Sequence, residues 1–490
     1  MTENKSEREI RLEKLEQLKK LGINPYPQQV PDFTTVGETL KKNEGDTSAV
    51  VGRLAGIREH GKSTFFDLKD EDDKIQLYCK FDEVGEKPYG MLHLLDVGDF
   101  LWAEGEIFVT KAGEKSLKVK NYQLLAKSLL PIPEHWHGLS DVETRYRSRA
   151  LDFKINEEAR KLIQTRSQVV ELIRHFFLRH SFMEVHTPVL QPIPGGAAAK
   201  PFITHYNTLE ADFYLRVAPE LYLKRLIAGG FNRVFEIGPS FRNEGLSHMH
   251  NPEFYSCEAY WAYQDYMGFL KVTQDLVQEL VKKVHGSLKI KYQGQTIDFS
   301  GDFPVKKYAD IVKEDTGIDL EENNTFAKLK AAVDKAGITF EGQKITVWSE
   351  LVDELFKKVS RPNIVQPIFV IDHPIETTPL AKRGRDNPNI AERFQLVCCG
   401  GFELTNAYTE LNDPIDQELR FREQMKLAES GWEEAQVLDE NFIEALKFGM
   451  PPTTGWAIGI ERIVMVLTDQ HSIKEVIPFP TLRPLKDAKP

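Results

Sequence analysis

Three stretches of the chain stand out, and two of them carry polar residues in patterns suited to handling anions. FRNEG (241–245) is followed by HNPEF (250–254), and GWAIGIERIVMVL (455–467) joins a glycine-bearing strand to a helix through Glu461 and Arg462. HSFMEVHTPVLQP (180–192) precedes both, its strand ending at Pro188. Arg242 is the first candidate among them. A guanidinium forks onto a phosphate or a carboxylate in fixed geometry, and a lysine ammonium does not. Taken singly, Arg242 reads as a surface salt bridge and Glu461-Arg462 as a solvated pair. Glu403 is a carboxylate of the kind that holds magnesium together with substrate phosphates. Taken singly, it reads as an exposed strand residue.

Two other patterns are decoys. Gly56 to Ser63 matches G-x-x-x-x-G-K-[ST], the phosphate-cradling loop. That loop needs a helix after it, and Thr64-Phe65-Phe66-Asp67-Leu68 is strand-like. The expectation is a hairpin turn. His248 and His250 with Cys257 have poor spacing for zinc.

The three stretches resemble, in order and type, motifs 1, 2 and 3 of the class II aminoacyl-tRNA synthetases. The segments between them, GGAAAKPFITHYN (195–207), RVAPELYLKRL (216–226), TTPLAKR (377–383) and NAYTELNDP (406–414), are similar to the lysyl branch of that class. The resemblance implies activation of L-lysine with ATP to lysyl-adenylate, then transfer to the 3′ end of tRNA(Lys). Chemistry of this kind is mostly positioning plus electrostatic stabilisation. It needs arginines, a divalent metal and a carboxylate to hold it, and no dedicated nucleophile or base.

What the resemblance implies can be written residue by residue. Arg242, Arg462 and Glu403 carry catalysis. ATP is contacted by Arg242, Glu244, His250, Asn251, Phe254, Glu403 and Arg462, with adenine on the Phe254 ring. Lysine is surrounded by Gly196, Glu220, Arg242, Glu258, Tyr260, Asn406, Tyr408 and Glu410. Glu410 and Tyr260 are expected at the ε-ammonium and Glu220 at the α-ammonium. Three carboxylates and no cation match an amino acid with two ammonium groups. Glu403 is the expected Mg2+ ligand. A homodimer through motif 1 is implied as well. Two alternative readings stand beside this one: a paralogue that lysylates a protein, and a degenerate nucleic-acid-binding or signalling module.

Three positions depart from the family pattern. Gln395 stands where relatives carry a metal-binding Glu, which puts the metal set in question. VCCGGFE (397–403) is one residue longer than usual, so a strand bulge is expected there. Ala457 replaces a common glycine in motif 3.

The elements that must position these residues follow from periodicity. Residues 1–21 read as a packing helix with Ile10, Leu12, Leu15, Leu18 and Leu21 at helical spacing, forming an N-terminal extension to residue 48. Five short strand-like runs fill 49–130, with Ile75, Leu77 and Cys79 alternating with polar residues. They suit an oligonucleotide-binding (OB) barrel, and a small sandwich fits almost as well. On such a barrel the resemblance places Arg53, Phe65, Gln76 and Glu114 at the anticodon. Either Phe65 or Phe66 points inward. Residues 131–149 read as a linker. An α+β catalytic domain, an antiparallel sheet flanked by helices, is expected over 150–490, its first helix capped by Asn156. Two amphipathic helical stretches are expected in an insertion near 265–360.

Composition sets the outer bounds. The 490 residues are 41% hydrophobic and 28% charged, with a formal charge of −11. That charge argues against coating nucleic acid by bulk attraction, though not against a local basic surface. No uncharged run approaches the ~18 residues of a membrane span. The charged N-terminus has no apolar signal region, and the four cysteines form no disulfide framework. A cytoplasmic setting is expected.

Overall fold

The computed structural model describes residues 5–132, 141–340, 345–429 and 437–485. The chain divides into two compact units, residues 1–142 and 143–490.

In the first unit, Ser6 and Glu9 form a reciprocal capping box that starts the helix Glu7–Lys20. Leu15 and Leu18 are buried, but Ile10 and Leu21 are exposed, so the apolar stripe is narrower than its spacing implies. Arg11 is buried instead, donating to the carbonyls of Val97, Ser128 and Leu130. The strands Thr47–His60, Ser63–Lys69, Lys74–Lys80, Phe100–Val109 and Lys115–Ala126 close into a barrel. Closure comes from Thr47–His60, which pairs with both Ser63–Lys69 and Phe100–Val109. This separates a barrel from a sandwich. The P-loop lookalike is the hairpin between the first two strands, with His60 opposite Ser63. Phe66 lies in the barrel core with Leu68, Ile75, Leu77 and Cys79, and Phe65 faces outward.

The second unit is built on an eight-stranded sheet. Its order is Val305–Lys307, Ile368–Pro374, Ile390–Cys398, Phe402–Thr409, Thr453–Gly459, Glu253–Ala262, Arg233–Phe241 and Met183–Glu184. The five central pairings are antiparallel and the two outer ones parallel. One face packs on the helices Glu157–Arg179, Tyr266–His285 and Ile460–Leu467 through Phe177, Phe235, Phe269, Trp456 and Val464. Asn156 caps the first of these by accepting from the amides of Glu158 and Ala159. The other face carries polar residues, and one end of it is covered by the helices Glu220–Ala228 and Glu440–Lys447.

Two expectations need correction. Residues 133–140 of the segment read as a linker lie outside the described residues. The rest of it forms the helix Val142–Arg147 and enters Arg149–Ile155, because Arg145 and Arg149 pair with the buried Asp152. Among the described residues, 265–360 hold four α-helices, a β-hairpin and the sheet strand Val305–Lys307 rather than two helical stretches. The last three helices share a core of their own around Val312, Leu329 and Val352, which short periodic runs did not reveal.

Candidate active site

A cavity of about 320 Å³ opens on the polar face of the sheet. Arg242, Glu244, His250, Asn251, Phe254, Glu258, Glu403, Asn406, Ala457 and Arg462 all line it. These residues come from four places in the chain and meet because adjacent strands carry them. Arg242 leaves the end of Arg233–Phe241, and its amide donates to the Pro252 carbonyl at 2.8 Å. Its guanidinium carbon lies 5.1 Å from the centre of the Phe254 ring. Its Nε is buried without a hydrogen-bond partner among the described residues. Burial and the nearby Arg462 lower its affinity for its proton, as expected of a cation awaiting an anion. Asn251 is held by the Glu253 carbonyl and the Thr481 amide. His250 Nδ1 lies 2.9 Å from Ser247 Oγ, and burial together with Arg462 shifts its pKa downward.

Glu403 owes its place to a bulge. Leu396 pairs with Thr405 but the next residue, Val397, pairs with Glu403, leaving Leu404 as the extra residue. Without the bulge, Glu403 and Asn406 would lie on opposite faces. With it, both line the cavity while Leu404 and Ala407 enter the core. The bulge thus falls at Leu404, just beyond the stretch 397–403 in which one was expected. The turn between the strands holds Cys399, Gly400 and Gly401, all at positive φ. Glu403 Oε2 lies 3.9 Å from Arg361 and 4.0 Å from Arg462. Gln395 does not reach the cavity; its Oε1 lies 3.1 Å from His373 Nε2.

A second cluster adjoins the cavity and is more deeply buried. Glu220 opens its helix, and Tyr408 donates to its Oε1 at 2.7 Å. Tyr260 donates to Glu258 at 3.4 Å. Burial, then the charge of Glu220, pushes the Glu258 carboxyl up to about 8. Asn406 accepts from Arg393 Nε at 2.7 Å. Gly196, at φ +91°, lies against Glu220, where a Cβ would sit 3.0 Å from the Glu220 Cβ. Gly455 is required by close approach: a Cβ there would overlap the Glu410 carboxylate and meet the Tyr260 ring at 2.7 Å.

One expectation fails here. The cluster is not free of cations: the Lys224 ammonium bonds Glu220 at 2.6 Å and forms an ion pair with Glu410. Lys224 was missed because a Glu and a Lys four apart on a helix normally read as an exposed pair. Arg361 was missed as well, having no motif around it, and Arg393 was given no role although it lies in the stretch that includes Gln395.

On the barrel, Phe65 packs at 4.9 Å from Tyr78, and Tyr78 at 5.7 Å from Phe108. Gln76 Nε2 donates to Glu114 at 3.1 Å, and Ser116 donates to Gln76 Oε1. These residues share adjoining strands. Arg53 stands apart from them, opposite Lys69 and with its guanidinium 4.1 Å from the centre of the Phe100 ring. Among the described residues, no helix is long and apolar enough to cross a membrane.

Comparison with known proteins agrees with this architecture. Residues 49–125 match the family model of the OB-fold nucleic acid binding domain. The chain is 44% identical to a lysine–tRNA ligase of Thermoanaerobacter sp. (strain X514), covering 98% of this chain and 96% of that protein. It is 44% identical to the lysine–tRNA ligase of Moorella thermoacetica over 98% of each chain. For that of Thermotoga maritima the identity is 43%, over 98% of this chain and 96% of the relative. With residues 141–483 matching the model for the class II tRNA synthetases (D, K and N), and relatives of this similarity over nearly its whole length, the chain belongs to that family.

Proposed function

We propose that this chain activates L-lysine with ATP, forming lysyl-adenylate and pyrophosphate, and passes the lysyl group to the 3′ end of tRNA(Lys). The observation that carries the reading is the juxtaposition of two sites. A cavity with Arg242 and Arg462 adjoins a buried cluster holding Glu220, Glu258 and Glu410. The first suits phosphates and a substrate carboxylate. The second suits ammonium groups, because a buried carboxylate left without a cation costs several kcal/mol.

In this reading Arg242 binds the amino-acid carboxylate and the α-phosphate together, using its unpartnered edge. The attacking carboxylate is already ionised, so the step needs no base. Phe254 offers its face to adenine, His250 and Glu244 contact ATP, and Arg462 meets the far end of the triphosphate. Glu220 and Glu258 hold the α-ammonium side of lysine, and Tyr260 and Glu410 the ε-ammonium. The chain offers Glu403 for a metal. No group of three or more His, Cys, Asp or Glu forms a cage among the described residues. A single carboxylate facing the phosphate site suits magnesium arriving on ATP, where it offsets phosphate charge. The outward row of Phe65, Tyr78 and Phe108 suits stacking of anticodon bases, with Gln76 and Glu114 beside it. Motif 1 suits a homodimer contact. The OB barrel and the shared cavity favour neither a protein-lysylating paralogue nor a degenerate module.

The test is amino-acid-dependent ATP–pyrophosphate exchange with all twenty amino acids, followed by charging of tRNA. Exchange with lysine, and lysylation of tRNA(Lys), supports the reading. Exchange with a different amino acid overturns the pocket assignment, and none at any Mg2+ concentration overturns the activity.

A further inference from the structure

Lys224 is a fully buried ammonium in the middle of the carboxylate cluster. Its Nζ bonds Glu220 Oε1 at 2.6 Å and pairs with Glu410, whose side chain is also fully buried. The ammonium lies 5.7 Å from the centre of the Tyr408 ring and 5.8 Å from that of Phe442. Neither Glu410 oxygen has an ordinary hydrogen-bond donor among the described residues besides this ion pair. An ordinary helix pair looks different: Lys271 and Asp275, also four apart, are both solvated.

The charge of the cluster makes sense of this lysine. Glu220, Glu258 and Glu410 with Lys224 leave two net negative charges when all are ionised. That is the number a free lysine neutralises with its two ammonium groups, while Arg242 takes its carboxylate. Without Lys224 the cluster would carry one surplus buried charge when ionised, and Glu410 would lose the cation that opposes its protonation.

We propose that Lys224 is a positioning and specificity-determining residue. It pairs with Glu410 and Glu220 and aims them, so that once all three carboxylates are ionised on binding the pocket presents two net negative charges to a doubly cationic amino acid. This rests on the lysine pocket proposed above.

The groups facing the pair come from every neighbouring element. They are Glu220 on the same helix, Glu258 and Tyr260 on Glu253–Ala262, and Tyr408 beside Glu410; Arg393 approaches through Asn406. Glu440–Lys447 contributes Phe442, and Thr453–Gly459 contributes Gly455. Burial pulls the Lys224 ammonium down, but Glu220 and Glu410 outweigh it and hold its pKa above the ordinary value. Burial pushes the Glu410 carboxyl well above the ordinary glutamate range, against the opposing pull of Lys224.

The test compares wild type, Lys224→Met and Lys224→Arg in lysine-dependent exchange, with KM for lysine and for ATP measured across pH. In Lys224→Met the KM for lysine rises by roughly tenfold or more at neutral pH, since a buried pair has been broken. The deficit shrinks as pH rises and Glu410 ionises, the KM for ATP stays near wild type, and Lys224→Arg recovers part of the loss. A lysine KM and pH profile equal to wild type overturn the proposal. So does a parallel change in both KM values, the mark of a merely structural role. Calorimetry on the wild type keeps the proposal testable if the variants do not fold. Titrating lysine and norleucine, which lacks the ε-ammonium, should show binding of lysine by far the tighter; equal affinity for the two shows that the Lys224–Glu410 pair does not select a second ammonium. A wild type that does not respond to lysine overturns the pocket reading itself, which the variants' failure alone would leave standing.

Discussion

Glu258 carries the clearest prediction at the scale of a residue. Its carboxyl is raised to about 8 by burial and by Glu220, so the free protein holds it largely protonated at neutral pH. An ammonium binds the carboxylate, not the acid. The KM for lysine should therefore fall as pH rises toward 8, by up to about tenfold per unit, and then level off. The sign for stability is opposite. A raised pKa favours the protonated folded form, so this contribution is full below the ordinary glutamate range and is lost as pH rises through about 8. The thermal shift produced by lysine should grow over the same window. A pH-independent lysine KM between 6 and 8 would sink the assignment. Gln395 supports a second prediction. It faces His373 rather than the cavity, so Gln395→Glu should leave the Mg2+ titration of exchange unchanged. A shifted half-saturation would mean the residue reaches the metal after all. At this scale Arg242 was legible from FRNEG, and the structure places it on the cavity wall. Lys224 was not, because its meaning depends on Glu410, 186 positions away in the chain and brought to it only by folding.

The elements divide into those whose periodicity was sufficient and those that needed a partner. The five barrel strands were visible as short β-rich runs between turn residues, with clear alternation in Ser63–Lys69 and at Ile75, Leu77 and Cys79. Closure was not visible, since it lies in the pairing of Thr47–His60 with Phe100–Val109. The choice between Phe65 and Phe66 was likewise settled by the sheet, which turns Phe66 into the core. The bulge at Leu404 shows how one irregularity repositions a functional side chain: it brings Glu403 to the face that carries Asn406. The sequence suggested a bulge within 397–403, but not that it would fall at Leu404. The outward aromatic row on the barrel gives this scale its prediction. Phe65→Ala should raise the KM for tRNA(Lys) by roughly tenfold, from the ~1–3 kcal/mol that base stacking contributes. Lysine-dependent exchange without tRNA should not change, because the residues that line the cavity all belong to the second unit. A loss of exchange would instead point to a packing role for Phe65 against Tyr78.

The whole molecule raises the question of what covers the edge of its main sheet. The sheet ends at Met183–Glu184, a two-residue strand within the motif 1 stretch. Unpaired sheet edges template association, and soluble proteins keep them short or cover them. Leu178, Met183 and Leu190 are all more than two-fifths exposed around this edge. Apolar side chains scattered on a surface need no explanation, but these three fall within thirteen residues, on the helix Glu157–Arg179, the end strand and the strand Leu190–Gln191. A twofold axis through this surface would place it against its own copy, as in most closed oligomers. A stable dimer would need to bury roughly 1,200–2,000 Å² in total, more than these three side chains supply. Neighbouring surface must therefore contribute, and the double variant Met183→Asp, Leu190→Asp should place unpaired charges within it. Sedimentation should find the wild type dimeric and the double variant monomeric, with reduced exchange activity. A wild type that sediments as a monomer at micromolar concentration would remove the dimer. A double variant that remains dimeric would move the contact away from motif 1.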